Sequence, residues 1–239
     1  MTHIFLAGAT GAIGRRLCKL LIDAGYDVTG TTRDPSKFPM LRDLGVHPVA
    51  VDVFDAEALR RAVSAAHPDI VIHQLTDLPP GLDPEKMGAA RARNARLRIE
   101  GTRNLLAAAV AAGATRFIAQ SIAFVYAPGP KPYTEEMELD TDAPDPQGMS
   151  ARAVDSLEGQ VLESTLDGVI LRYGKLYGPG TGFNAPPLEG PLHVDDAAHA
   201  ALLAVTKGEG IYNIAEDDGT VDCVRAAREL GWEPGFRIG

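Results

Sequence analysis

Gly8-Ala9-Thr10-Gly11-Ala12-Ile13-Gly14 constrains this chain more than any other stretch. It follows His3-Ile4-Phe5-Leu6-Ala7, an apolar run that reads as a buried parallel strand. It precedes Ile13, Leu17, Leu20 and Leu21, whose spacing suits the buried face of a helix. A strand running through a glycine-rich turn straight into a helix is the opening of a parallel α/β sheet. The glycines allow a tight turn, a close backbone approach to a pyrophosphate and close packing of helix on strand. Free N–H groups and the positive dipole end at the helix start favour an anion. The turn is therefore read as nucleotide-binding, with Gly8, Thr10, Gly11, Ala12, Ile13 and Gly14 as its expected contacts.

The alternation continues along the chain. Asp27-Val28-Thr29-Gly30-Thr31-Thr32 reads as a second strand, with Gly25 capping the helix before it. A carboxylate at the end of this strand suits a non-phosphorylated dinucleotide, but here Thr32 is followed by Arg33. A hydroxyl beside a planar guanidinium fork suits a 2′-phosphate, so NADP is expected ahead of NAD. Residues 46–53 give a third strand ending in Asp52-Val53; Asp52 either meets an adenine edge or begins the turn before the next helix. A fourth strand, 69–73, ends where open α/β sheets hold their ligands, making Gln74, Leu75 and Thr76 expected cofactor contacts with His73 as their neighbour.

A long helical stretch spans about 87–112, with arginines at 91, 93, 96 and 98 on what reads as a solvated face. Residues 116–120 form a fifth strand, and 127–149 read as irregular. A helix over about 150–166, a strand at 169–172, an Ala-rich helix to about 205 capped by an Asp, and a strand at 210–214 follow. Strand and helix alternate for most of the length, which predicts a doubly wound parallel sheet, an α/β Rossmann fold.

With 239 residues, 45% of them hydrophobic and 23% charged, the chain is long enough for one good-sized core. A net charge of −9 leaves no basic surplus to recruit a nucleic-acid backbone. No apolar run approaches the ~20 residues of a membrane span, and no basic-then-apolar leader precedes the first strand. Cys18 and Cys223 are too few for a disulfide framework or a metal cluster. A cytoplasmic protein acting on a small molecule is the expectation.

Further motifs converge with the glycine turn: Gly101-Thr102-Arg103-Asn104-Leu105, Phe124-Val125-Tyr126, Glu158, Leu171-Arg172-Tyr173, Tyr177-Gly178-Pro179-Gly180 and His193-Val194-Asp195-Asp196. In this order and spacing, the chain resembles the extended short-chain dehydrogenase/reductase family, of the NAD(P)-dependent epimerase/dehydratase type. The resemblance implies a single Rossmann-type domain over 1–239 with a small substrate lobe from segments after about 172. It also implies a Tyr-x-x-x-Lys pair as general acid/base, a Ser or Thr at the substrate oxygen and a supporting Asn. By the same motifs those positions fall on Ser150, Val154, Ile122 and Arg98, so all four are substituted.

Three functions stay open. One is a reductase or epimerase whose acid comes from Tyr126, Tyr133 or Arg152, with Ser121 and Ser150 as neighbouring hydroxyls. Another is a non-catalytic NADP(H) binder with a structural or redox-sensing role, and the last a non-redox enzyme in a reused pocket. The resemblance favours the first, whereas the residues alone lean to the second. The short, proline-bearing connection between Gly180 and His193 argues against a nucleotide-sugar substrate. The family's four-helix pairing through 87–112 and 150–166 would make a homodimer, an option that the arginines on the first helix leave open.

Overall fold

The computed structural model describes all 239 residues apart from the side chain of Pro80. Seven strands form one wholly parallel sheet: β1 His3–Ala7, β2 Asp27–Thr32, β3 His47–Ala50, β4 Ile70–His73, β5 Arg116–Ile122, β6 Asp167–Tyr173 and the late strand Gly210–Ile214. Their order is β3-β2-β1-β4-β5-β6 followed by that late strand, so the chain runs outward from β1 and then reverses at the β1–β4 crevice. A short parallel pair, β7 Lys175–Tyr177 and β8 Pro191–His193, stands apart from the sheet, and the late strand is therefore β9.

Helices α1 Ala12–Asp23, α2 Phe38–Asp43, α3 Ala56–Ala66, α4 Pro84–Arg96, α5 Thr102–Ala112, α6 Gln147–Leu162, α7 Val194–Leu203 and α8 Val224–Glu229 cover the two faces. The period of two along each strand divides the core. Ile4, Leu6, Ile70, Ile72, Ile118, Val169 and Leu171 pack with α1 and α7. Phe5, Ala7, Val71, Phe117, Ala119 and Ile170 pack with α3, α5 and α6. Both faces being buried explains why these strands read as continuous apolar runs. Among the described residues, no helix is long and apolar enough to cross a membrane.

Several local expectations need correction. The third strand shrinks from 46–53 to four residues, because it lies at the sheet edge and carries Pro48, which cannot donate to a ladder. The helix expected from 150 starts at Gln147 and ends at Leu162. The helix after β8 is capped by the His193 ring, whose Nδ1 accepts from the Asp195 N–H at 3.2 Å, while Asp195 and Asp196 occupy its first turn. The 87–112 stretch is α4 and α5 joined through a π-helical turn at Leu97–Gly101.

Candidate active site

The glycine turn lies at the C-terminal edge of β1, beside the crevice where the strand order reverses. Gly8 has φ +93°, and a Cβ there would lie 2.6 Å from the Gln74 carbonyl oxygen. A Cβ on Gly14 would overlap the Gly8 carbonyl oxygen and lie 2.9 Å from backbone carbons of Ala9. The turn is thus as tight as a backbone can be drawn, locked by the Gly11 N–H donating to the Gly8 carbonyl at 3.0 Å. Gly11 caps α1 without any side-chain hydrogen bond, so the first-turn N–H groups point to the open edge uncovered. This is a cradle that a pyrophosphate fits. Thr31 also supports it, accepting from the Gly8 N–H at 3.2 Å. Sequence reasoning missed that residue, because a strand threonine carries no local sign of its partner.

At the end of β2, the Thr32 hydroxyl accepts from the Asp34 N–H at 3.1 Å and shapes the turn that presents Arg33. Arg33 is largely exposed, and its guanidinium stands 3.5 Å from Asp77, which also receives Arg93 at 3.1 Å. Asp77 follows the 74–76 segment, so Arg33 and that segment are brought together across the crevice mouth. Gln74 is buried, Leu75 half-buried and Thr76 exposed. Asp52 accepts from the Phe54 N–H at 2.9 Å and so begins the turn, while Asp55 caps α3 and Val53 packs beneath.

The opposite side of the crevice is built differently. Val154 is completely buried with Val125 and Ala151, and Ile122 packs on the same cluster. Val154 and Ile122 therefore lie in one apolar patch. The Ser150 hydroxyl donates back to the Pro146 carbonyl at 3.3 Å. Arg152 donates to the Thr141 carbonyl at 2.8 Å and to Asp145 at 2.6 Å, clamping the loop before α6.

Ser121 and Tyr126 belong to a buried network behind that patch. Glu158 accepts from Ser121 at 2.7 Å and from both Nε and Nη2 of Arg172 at 2.9 and 2.6 Å. Arg172 Nη1 also donates to the Tyr126 oxygen at 2.9 Å and to the Glu135 carbonyl at 3.1 Å. Tyr126 in turn donates to Asn213 at 2.6 Å. Burial pushes the Tyr126 phenol up, which makes it a weak acid at neutral pH. Burial also pulls on Arg172, but the Glu158 hydrogen bonds and charge outweigh it and hold the guanidinium above its ordinary range. Tyr133 stacks on Tyr126 with ring centroids 5.1 Å apart, and its backbone is bridged to Val221. Of the five candidate catalytic residues, Ser121, Tyr126 and Tyr133 are thus assembled into structure, and Ser150 and Arg152 bond to the backbone and loop beside them.

The sequence profile of the NAD dependent epimerase/dehydratase family matches residues 4–188. The chain belongs to that family. It is 44% identical over 238 residues to a 3-diazoavenalumate denitrifying reductase from Streptomyces, covering 90% of this chain and 76% of that protein. The UDP-glucose 4-epimerase of Thermotoga maritima, solved with UDP-glucose, superposes with a TM-score of 0.77 at 22% identity, covering 99% of this chain and 94% of that one. The Bordetella bronchiseptica enzyme WbmH in complex with NAD+ gives 0.76 at 19% identity, covering 100% and 94%. At these identities the structures establish the Rossmann fold, while the family match and the reductase relative establish an NAD-dependent family with reductases in it.

Proposed function

We propose that this protein is an NADPH-dependent reductase whose hydride acceptor needs no proton from the protein, namely a diazonium substituent lost as dinitrogen. The observation that carries this reading is an intact dinucleotide cradle facing a corner in which Val154 is sealed in an apolar cluster and Ser150 bonds its own helix. Reduction of a carbonyl leaves negative charge on oxygen and calls for an acid there. A diazonium group makes no such demand. The new C–H bond uses the hydride electron pair, the C–N bond breaks, and its pair leaves with N2. Thus R–N2+ and NADPH become R–H, N2 and NADP+, with no proton taken up. The Streptomyces relative, a denitrifying reductase of a diazo compound by its name, supports the same class.

When bound, the dinucleotide supplies the hydride. The chain's own work is to hold it and to keep water away. Gly8 to Gly14 and the start of α1 take the pyrophosphate, and Gln74, Leu75 and Thr76 flank its path. Arg33 takes the 2′-phosphate, since its loose 3.5 Å approach to Asp77 leaves the fork free to turn. Half-buried Ile122, backed by the buried Val125 and Val154, offers an apolar surface to the reacting end, and the lobe after residue 172 takes a small substrate rather than a nucleotide sugar.

The same sealed corner also favours a second reading, an NADP(H) binder without turnover. NADPH oxidation measured with benzenediazonium, carboxylated arenediazonium ions, ketones and aldehydes, against heat-denatured protein, separates the two. The reductase reading expects protein-dependent oxidation with diazonium ions and stoichiometric N2. Tight NADPH binding with no oxidation on any compound establishes the binder, and oxidation confined to carbonyls contradicts the diazonium class.

A further inference from the structure

Arg98 stands out among the arginines of this chain. Every other arginine is either exposed or engaged in a hydrogen bond or ion pair, whereas Arg98 is half-buried and, among the described residues, makes neither. It lies in the π-helical turn Leu97–Gly101, a rare helix distortion that concentrates at functional sites. One turn before it, Asn94 accepts from the Asp77 N–H at 2.9 Å, so this helix face looks onto the segment leaving β4. The turn also packs on α6, where Gln160 donates to the Ile99 carbonyl at 3.2 Å. Arg98 is therefore placed on a turn held between the segment leaving β4 and α6.

A second orphan lies beside it. The His73 ring is buried at the end of β4, and its Nδ1 accepts from the Leu75 N–H at 3.2 Å. The neutral ring then carries its proton on Nε2, and Nε2 is buried without a partner. Arg98 is near enough that its charge, after burial itself, holds the imidazole down at about 4. Burial also draws the Arg98 guanidinium down to about 10, although the charge of Glu158 opposes it. The buried His73 donor with no acceptor is costly unless a ligand supplies one, and Arg98 adds a positive charge on the same side.

We propose that Arg98 and His73 form an anion subsite that holds a carboxylate of the substrate beside the nicotinamide end of the crevice. The cofactor phosphates do not fill this role, because their cradle stands at the end of β1, whereas the turn that carries Arg98 packs between the segment leaving β4 and α6. The inference rests on the hydride-transfer reading for the substrate's purpose, but the subsite itself can be tested without turnover. Benzoate and cinnamate are titrated calorimetrically against their neutral amides, on the free protein and on protein saturated with NADP+. Arg98→Met and Arg98→Lys are run beside the parent, with NADPH affinity and melting temperature measured for each.

The expected result is carboxylate over amide by about tenfold or more in the parent, the size of a charge-assisted pair. That preference should vanish in Arg98→Met, return in part in Arg98→Lys, and leave NADPH affinity within about twofold. Equal binding of acid and amide by the parent, or a preference that survives Arg98→Met, overturns the subsite. A parallel loss of NADPH affinity in Arg98→Met overturns it too, by assigning Arg98 to the dinucleotide. Failure of the parent to bind NADPH removes the reductase reading instead, and the free-protein titration still decides the subsite.

Discussion

The two sides of the crevice have been treated differently. The β1 side is made of backbone: a glycine turn drawn tight against Gln74, an uncapped helix start and a hydroxyl from Thr31 under Gly8. The α6 side is made of side chains: Ser121 and Tyr126 join the Arg172–Glu158 network, Ser150 and Arg152 bond to the backbone and loop at the start of α6, and Val154 and Ile122 share an apolar cluster. On the proposed reading, cofactor holding and proton transfer are separable on this fold. The first depends on main-chain geometry that few residues can supply; the second depends on pKa values that one or two substitutions remove.

The largest effect should come from the backbone side. Gly14→Ala places a methyl group on the Gly8 carbonyl and should weaken NADPH binding by at least about a hundredfold, read by fluorescence titration. A binding constant within about threefold of the parent would break the assignment of the cradle.

On the other side, Glu158→Gln strips the buried Arg172 of its counter-ion, with both side chains about 5% exposed or less. It should cost about 3–5 kcal/mol in denaturant unfolding, because the guanidinium stays buried and uncompensated. If stability falls sharply while NADPH affinity in the remaining folded protein holds, the two sides are independent as argued.

His73 sharpens the comparison through pH. Burial, then the charge of Arg98, lowers its folded pKa from 6.5 to about 4, so the unfolded chain binds the proton more readily. Stability from this residue is undiminished above pH 6.5 and falls as the pH drops toward 4, by about 3 kcal/mol in all. His73→Gln should flatten that part of the curve relative to the parent, and parallel curves would contradict it.

The smallest of these effects is at the crevice mouth. Arg33→Ala should lower the NADPH to NADH affinity ratio by about tenfold. An unchanged ratio would mean that Arg33 only pairs with Asp77.

Much of this was legible in the sequence, for reasons that differ by site. The Gly8–Gly14 turn could be read because strand, turn and helix are contiguous, and the doubly wound sheet because both-face burial writes itself as apolar runs. That the usual Tyr and Lys positions fall on Ser150 and Val154 is what the family resemblance implies, and it stays part of the proposed function. What those residues pack against was not legible. That Ser121 and Tyr126 belong to a structural network depends on Arg172 and Asn213, 46 and 87 residues from Tyr126 in the chain. Arg98 read both as one of four arginines on a solvated helix and as the occupant of the family's Asn position, and the π turn and the packing of α6 show how its surroundings differ. The small β7–β8 pair escaped notice because three-residue strands carry no period.

The central claim, hydride transfer without a proton from the protein, is tested most directly with NADPH deuterated on either face of nicotinamide C4 and an arenediazonium substrate, comparing the parent with Ser150→Ala. The account predicts one deuterium in the arene from one face only, release of N2, and turnover within about twofold for the variant. No transfer of label, or a fall of about a hundredfold or more in Ser150→Ala, the scale of a lost general acid, would contradict it.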